Sequence, residues 1–185
     1  FQALKLPEDK FIKTIANSAA ILAYGEKNQA YDAVRPGIML YGVSPFAESD
    51  GAQFDLKPVM TLISAITAIH DYLPGEPVGY AATWETRRAS RIGVVAIGYG
   101  DGYPRHIANN TPVYIEGHYV PIVGRVSMDM LTVDLTDYPE ISIGNRVELW
   151  GAHLPVEQVA RAAGTIGYEL ITQVTSRVRE NQIIS

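Results

Sequence analysis

The stretch VMTLISAITAIHDY, residues 59–72, carries the pattern that decides the fold. It is dense in β-branched side chains, and its apolar residues run too continuously for an amphipathic helix, so it predicts a long β-strand. Short strands separated by glycine, proline and aspartate are predicted at 91–98, 112–117, 118–124, 129–135 and 145–151. Strands at this spacing predict a sheet-rich barrel or sandwich. Glu116, Gly117 and His118 predict the tight turn of a hairpin.

Two segments near the carboxyl end have helical features. PVEQVARAAG, residues 155–164, predicts a helix because Pro155 suits the first turn and Gly164 suits the stop. The closing segment YELITQVTSRVRE, residues 168–180, is compatible with either the end of a helix or a strand, and the sequence leaves both open.

The amino-terminal part has a different pattern. A strand-like piece, FIKTI, precedes ANSAAILAYG, which predicts a short helix with Asn17 or Ser18 as its N-cap and Gly25 as its stop. VRPGIMLYG, residues 34–42, predicts a buried apolar strand. A strand, a helix and another strand in close order indicate a βαβ unit and hence an α/β layer. The polar and acidic residues 44–56 predict a linker.

The composition limits the classes of function. The 185 residues are 47% hydrophobic, with no cysteine and a net charge of −5. The lack of cysteine excludes disulfides and thiolate metal sites and suits a cytoplasmic protein. No unbroken apolar run is long enough for a membrane helix, and the negative charge argues against a nucleic-acid partner. The four histidines lack ligand spacing, so we expect no metal site.

Several residues carry chemistry that the local pattern does not resolve. Ser18, with the backbone N–H groups of Gly37 and Ile38, could form a phosphate cradle, or these residues could be ordinary caps and turns. Tyr80 and Tyr99 each follow a glycine at the end of an apolar run. A tyrosine serves as a base at neutral pH only when its phenolate is favoured, and the alternative is a core aromatic with a satisfied hydroxyl. The run GYGDG at 98–102 lacks the following helix that a nucleotide-binding loop requires.

Taken together, six segments resemble, in order and across essentially the whole chain, the landmarks of the alanine racemase family. They are IANSAA (15–20), DAVRPGIMLYG (32–42), PVGYAATW (77–84), AIGYGDGYPR (96–105), VGRVSMDM (123–130) and TIGYE (165–169). Members are pyridoxal-phosphate enzymes that interconvert L- and D-alanine, with an N-terminal (β/α)8 barrel and a C-terminal, mainly β domain. The resemblance implies that residues 1–45 are the last units of the (β/α)8 barrel, that 46–57 form a linker, and that 58–185 form the β domain.

The resemblance also implies cofactor-binding residues. Ser18, with the backbone of Gly37 and Ile38 and the hydroxyl of Tyr168, would bind the phosphate of pyridoxal phosphate. Arg35 would face the pyridine nitrogen. A guanidinium cannot accept a proton there, so it would keep that nitrogen unprotonated and make the ring a weaker electron sink.

A second group of residues would act on the substrate. Tyr80 would be the base that removes the α-proton of L-alanine. The main-chain N–H of Met128 would bind the substrate carboxylate, with Asp129 and Tyr99 close by at the entrance. Racemisation needs a proton-transfer group on each face of the substrate, and the family's second base is the lysine that holds the cofactor as a Schiff base.

No segment of this chain resembles the one that carries that lysine, so we expect the chain to be an incomplete enzyme that is inactive alone. Family members are homodimers in which the β domain of one subunit reaches the active site of the other, and they supply D-alanine for peptidoglycan. The alternatives are a serine racemase of the same architecture and a non-catalytic binding or oligomerisation module. We also expect an incomplete (β/α)8 barrel to expose apolar strand edges, which would promote self-association or disorder within residues 1–45.

Overall fold

The structure, a computed structural model, describes residues 11–24 and 32–179. The chain divides into two compact units between Val59 and Met60. Strands dominate the described residues, which contain ten strands and three α-helices. The predicted mainly β fold is therefore confirmed.

The amino-terminal unit contains a small βαβ arrangement. Strand β1 (Thr14–Asn17) leads into helix α1 (Ser18–Tyr24), and β1 pairs in parallel with β2 (Ala33–Arg35). The side-chain oxygen of Asn17 accepts a hydrogen bond from the N–H of Ala20 at 3.0 Å, which is the geometry of an N-cap. The predicted helix stop at Gly25, and the expectation of disorder for residues 1–10 and 25–31, lie outside the described residues.

The prediction of a buried strand over residues 34–42 is wrong. Only its first residues belong to β2, and Ile38–Tyr41 form a 3-10 helix that ends at Gly42, where φ is 76°. Ile38 is buried, whereas Leu40 is 62% exposed. Pro36 has no N–H to donate to a strand neighbour, and the turn that follows it directs successive side chains around an axis rather than to two faces.

The segment 44–56, predicted as a linker, contains ordered local structure. A second 3-10 helix spans Gly51–Phe54, and the rings of Phe46 and Phe54 lie 5.4 Å apart. An added Cβ on Gly42 would lie 1.9 Å from the backbone oxygen of Lys57, so glycine is required where these two segments meet. The residues between the 3-10 helices thus pack as part of the amino-terminal unit.

The carboxyl-terminal unit is built around a closed six-stranded barrel. Its strands, in chain order, are β3 (Leu62–Tyr72), β6 (Ser90–Val95), β7 (Pro112–Ile115), β8 (His118–Val123), β9 (Leu131–Asp134) and β10 (Arg146–Trp150). Around the barrel they follow the order β10-β3-β6-β9-β8-β7, and every pairing is antiparallel. The barrel alternative of the sequence prediction is therefore the one observed. A separate pair, β4 (Pro77–Val78) and β5 (Trp84–Glu85), forms a short ladder.

Alternation along the strands fills the barrel. Val113 and Ile115 of β7 and Leu131 and Val133 of β9 are fully buried, while the residues between them are partly exposed. This period of two is what half-buried antiparallel strands produce. The predicted hairpin turn is confirmed: Ile115 pairs with His118, and the two turn residues have the positive φ angles of a tight hairpin.

Two helices complete the unit. Helix α2 (Val156–Ala163) ends at Gly164, where φ is 71°, in agreement with the prediction. The closing segment, which the sequence left open, forms helix α3 (Gly167–Gln173). The α-helices of the described residues are seven or eight residues long, and none of them is long and apolar enough to cross a bilayer.

One buried carboxylate fastens the chain that leaves the barrel. Glu148 of β10 accepts hydrogen bonds from the backbone N–H groups of His153, at 2.8 Å, and Leu154, at 3.1 Å, and it contacts His153 Nδ1 at 2.9 Å. Burial raises the pKa of Glu148, but the hydrogen bonds from His153 and Leu154 outweigh burial, so the pKa is lowered. A carboxylate with a lowered folded-state pKa stabilises the fold above its unfolded pKa, near 4.3, and that contribution is lost as pH falls through the folded value.

We therefore predict that Glu148→Gln lowers the urea midpoint of unfolding at pH 7. The difference in midpoint between this variant and the unsubstituted chain should narrow below about pH 4. The measurement is urea unfolding at a series of pH values. Glu140→Gln, which removes an exposed carboxylate paired with His118, is the control and should keep the acid dependence of the unsubstituted chain. A constant difference between Glu148→Gln and the unsubstituted chain at all pH values would contradict the assignment.

Candidate active site

In the amino-terminal unit, Ser18 lies at the junction of β1 and α1. Its side chain is buried, and its Oγ accepts hydrogen bonds from the N–H groups of Gly37, at 2.8 Å, and Met39, at 3.4 Å. Gly37 and Ile38 follow β2, the parallel neighbour of β1, which explains why residues 19 positions apart meet here. The structure thus brings together the three residues predicted to contact a phosphate in this unit, and it places a hydroxyl among backbone N–H donors.

Arg35 is the last residue of β2. Its Nη1 donates a hydrogen bond to Thr14 Oγ1, 3.0 Å away on the neighbouring strand, and the side chain is exposed. This contact across the β1-β2 pair fixes one end of the guanidinium. Within residues 11–24 and 32–179, the other donors of the guanidinium make no hydrogen bond.

In the carboxyl-terminal unit, Tyr80 stands at the rim of the barrel. It is 68% exposed, so it is not the buried core aromatic that the sequence left as an alternative. Gly79 before it has φ of 77°, and the 3-10 turn Tyr80–Ala82 contains two alanines with positive φ. Non-glycine residues in that conformation are strained, and such strain often accompanies functional turns.

Tyr80 lines an open cleft of about 330 Å³. Most of the exposed surface that lines this cleft is apolar. The other lining residues are Gly79, Arg125, Ser127, Met130, Leu131 and Thr132. An added Cβ on Gly79 would lie 3.0 Å from the backbone nitrogen of Arg125, so the turn before Tyr80 packs closely on the chain that follows β8. The cleft is therefore bounded on one side by the phenol and on the other by the segment that leads into β9.

That segment forms a turn, residues 127–130, closed by Ser127. The Ser127 N–H donates to the Met130 oxygen at 2.9 Å, and the Ser127 hydroxyl exchanges hydrogen bonds with the backbone of Met130. Met128 is 51% exposed at the tip, and within the described part of the chain its N–H makes no hydrogen bond. An exposed backbone donor at a rigid turn can bind an anion such as a carboxylate.

The GYGDG loop, residues 98–102, lies directly against this turn. The N–H of Tyr99 donates to Ser127 O at 3.0 Å, and the N–H of Gly100 donates to Met128 O at 2.8 Å. An added Cβ on Gly98 would lie 2.3 Å from Ser127 O and 2.4 Å from Met128 O. Gly98 has an extended φ of −147°, so it is the close backbone approach, not the dihedral angle, that requires glycine here.

Arg177 joins the loop to the turn. Its Nε lies 3.2 Å from Asp101 Oδ1 and its Nη2 lies 2.5 Å from Asp129 Oδ1. The hydrogen bond to Asp129 and the charge of Asp101 raise the pKa of Arg177. The sequence prediction missed Arg177, because its partner Asp129 lies 48 residues away and no local pattern links them.

Tyr168 lies in the same unit, on a helix that packs against the GYGDG loop. Tyr168 lies in the first turn of α3 and is partly exposed, as is Ile166 just before the helix.

Across residues 11–24 and 32–179, no group of three or more His, Asp or Glu side chains is arranged to hold a metal ion.

Comparison with known proteins identifies relatives of both units. Residues 59–182 match the model of the alanine racemase C-terminal domain, and residues 2–45 match that of the alanine racemase N-terminal domain. Alanine racemase from Legionella pneumophila (strain Paris) is 58% identical over 179 residues, which are 97% of this chain and 49% of the relative. The chain thus spans about half the length of the curated relatives it matches.

Solved structures give the same result. Biosynthetic alanine racemase from Pseudomonas aeruginosa superposes with a TM-score of 0.89 and 49% identity, over 96% of this chain and 48% of that one. Alanine racemase from Bartonella henselae with covalently bound pyridoxal phosphate superposes with a TM-score of 0.78 and 38% identity, over 89% of this chain and 45% of that one.

We predict that Gly98→Ala loosens the contact between the GYGDG loop and the 127–130 turn, because a methyl group cannot fit against two carbonyl oxygens. Amide hydrogen exchange at Tyr99 and Gly100, whose N–H groups bond to that turn, should accelerate by about tenfold or more. Gly144→Ala is the control: its added Cβ meets no atom within 4 Å, although its φ is 92°. Unchanged exchange at both amides in Gly98→Ala would contradict the prediction.

Proposed function

The chain belongs to the alanine racemase family, and we propose that it is the carboxyl-terminal part of an enzyme that interconverts L- and D-alanine with pyridoxal phosphate as its cofactor. The observation that carries the proposal is the cleft in which the exposed phenol of Tyr80 stands beside the 127–130 turn. A proton-transfer group next to an exposed backbone donor is what removal of an α-proton from an amino acid requires.

We assign residues 1–45 to the end of a cofactor-binding (β/α)8 barrel, 46–57 to a linker and 58–185 to the β domain. The two matched models, over residues 2–45 and 59–182, support this assignment. The parallel β1-α1-β2 arrangement supports it too, because (β/α)8 barrels are built from such units.

The donors around Ser18 fit the phosphate of the cofactor. The buried hydroxyl of Ser18 lies within hydrogen-bond distance of the Gly37 N–H, and the N–H of Ile38 is the next backbone donor along the chain. Backbone N–H groups and hydroxyls are the common ligands of phosphate groups in proteins. In our proposal Tyr168 adds its hydroxyl, and Arg35 faces the pyridine nitrogen with a group that cannot accept a proton. When bound, pyridoxal phosphate supplies the electron withdrawal that makes the α-proton of the amino acid removable.

On the substrate side, the Met128 N–H binds the carboxylate of alanine and holds the Cα–H bond toward Tyr80. In its phenolate form, the oxygen of Tyr80 takes the α-proton of L-alanine and becomes a phenol, and in the reverse direction this phenol gives the proton back to the same face and becomes the phenolate again. Asp129 and Tyr99 border the entrance. The apolar lining contributed by Met130 and Leu131 limits the water that could compete for the proton.

A second proton-transfer group must act on the opposite face, because a single base returns the proton to the face it left. We infer that this group is a lysine in a part of the enzyme that this sequence does not contain, since the matched relatives are about twice as long. We also infer a homodimer, in which Tyr80 and Met128 serve the partner's cofactor site. Tyr80, Met128 and Met130 are exposed on one rim, which supports the proposal that this rim is a subunit interface. We place the enzyme in the cytoplasm, where it would supply D-alanine for peptidoglycan.

The role of Tyr80 is tested in the intact enzyme with Tyr80→Phe. We expect α-proton exchange from L-alanine to fall by about 100-fold or more, the usual effect of removing a general base, and exchange from D-alanine to fall far less. Exchange of each enantiomer in D2O is followed by NMR. Tyr119→Phe, which removes another exposed tyrosine hydroxyl, should leave both rates unchanged. Equal losses from the two enantiomers in Tyr80→Phe would refute the assignment. The 185-residue chain alone should show no racemisation that depends on Tyr80.

The phosphate site is tested with Ser18→Ala. We expect the dissociation constant of pyridoxal phosphate to rise by about tenfold, which corresponds to one lost charge-assisted hydrogen bond, while pyridoxal without the phosphate binds as before. Ser18→Thr keeps the hydroxyl and should retain most of the affinity. An equal loss of affinity for both compounds would place the effect elsewhere than at the phosphate.

A further inference from the structure

We propose that Arg177 is a positioning residue for substrate binding: it fixes the 127–130 turn on the GYGDG loop and offsets one of the two negative charges of Asp101 and Asp129 beside the place where the carboxylate of alanine binds. The inference rests on the proposed function, which places that carboxylate on the N–H of Met128. It adds a role for the segment after α3, which is remote in sequence from both the loop and the turn.

Arg177 bridges the GYGDG loop and the 127–130 turn. Asp101 uses its two oxygens for two different tasks, since Oδ2 accepts the Gly98 N–H at 2.9 Å and Oδ1 faces Arg177 Nε at 3.2 Å. The other end of the guanidinium reaches Asp129, the residue next to Met128. One planar group therefore bridges the loop and the turn, and a guanidinium provides donors in the fixed directions that such a bridge needs.

The segment that carries Arg177 is hydrogen-bonded to the GYGDG loop. The backbone N–H of Thr175 donates to Asp101 O at 3.1 Å, and its hydroxyl donates to Gly100 O at 2.9 Å. An added Cβ on Gly102 would lie 2.3 Å from the backbone oxygen of Gln173, so the chain leaving α3 runs in close contact with the loop. Arg177 thus projects from a segment that is already attached to the loop.

Without Arg177, Asp101 and Asp129 would lose the cation that pairs with both of them, although Asp101 would keep its hydrogen bond from the Gly98 N–H. Two negative charges near the 127–130 turn would then repel an incoming carboxylate. The side chains of Arg177 and Asp129 are 48% and 56% exposed, and exposed ion pairs add little to folding stability. The consequence of losing Arg177 should therefore appear in substrate binding rather than in stability.

The test uses the intact enzyme and Arg177→Gln. We expect KM for both alanine enantiomers to rise by about fivefold at low ionic strength, with kcat within about twofold of the unsubstituted enzyme. Raising the salt concentration should narrow the difference in KM, because salt screens exposed charges. Arg177→Lys keeps the positive charge but not the planar group that bridges the two carboxylates, so it should recover the salt-dependent part of the KM increase.

A second variant separates charge from folding. Adding Asp129→Asn to Arg177→Gln removes one of the two unpaired carboxylates and should lower KM relative to Arg177→Gln alone. Arg88→Gln is the matched control, because it breaks another exposed Arg–Asp pair, with Asp137 at 2.5 Å, and should leave KM and its salt dependence unchanged. If Arg177→Gln does not fold, Arg177→Lys and its salt dependence carry the test, with a KM increase of less than about twofold expected.

The outcomes are distinct. A fall in kcat with unchanged KM, an increase in the KM of Arg177→Gln that salt does not alter, or an Arg177→Lys variant whose KM increase depends on salt as strongly as that of Arg177→Gln would each overturn the inference alone. Absence of racemisation in the unsubstituted intact enzyme would overturn the proposed function and the inference with it.

Discussion

The antiparallel pairing of β3 with two neighbours is the interaction on which the carboxyl-terminal unit depends. Strand β3 is eleven residues long; residues 62–65 pair with β10, and residues 66 and 68–72 pair with β6. The sheet therefore closes and leaves no free edge. Closure also fixes which strand ends are neighbours. Val95, at the end of β6, pairs with Leu131, at the start of β9, while Val123, at the end of β8, pairs with Thr132. Chain leaving β6 and β8 and chain entering β9 therefore meet at one rim.

The candidate site follows from that meeting. The GYGDG loop follows β6, the 127–130 turn precedes β9, and Gly79 rests on the residues that follow β8. Backbone hydrogen bonds join the GYGDG loop to the 127–130 turn, and Gly98 stands where these two segments approach most closely. These contacts hold the Met128 N–H at the same rim as the phenol of Tyr80. The segment after α3 then adds Arg177, which gives the rim a positive group between two carboxylates. In our proposal, the packed backbone and the reduced negative charge together favour binding of the carboxylate group of the substrate.

In the amino-terminal unit, a parallel pair of strands brings the candidate phosphate-binding residues together. Parallel pairing of β1 with β2 brings Ser18 to the N–H groups after Arg35, and the 3-10 helix that follows keeps those N–H groups out of a sheet. The misprediction of residues 34–42 as a strand has the same cause. An apolar run can serve a strand or a tight helical turn equally well, and here Pro36 and Gly37 decide between them through geometry rather than through hydrophobicity.

The sequence by itself determined the features that depend on neighbours along the chain. These are the long strand, predicted at 59–72 and observed at Leu62–Tyr72, the hairpin turn at Glu116 and Gly117, the glycine stop of α2, and the ordered segments that mark the family. Only the tertiary structure decided the closed strand order, the helical state of residues 167–173, the exposure of Tyr80 and the bridge from Arg177 to Asp101 and Asp129. The physical reason is that these features depend on contacts between residues tens of positions apart. Local propensity limits the conformation of each segment, but it does not specify which distant segment completes its hydrogen bonds or balances its charge.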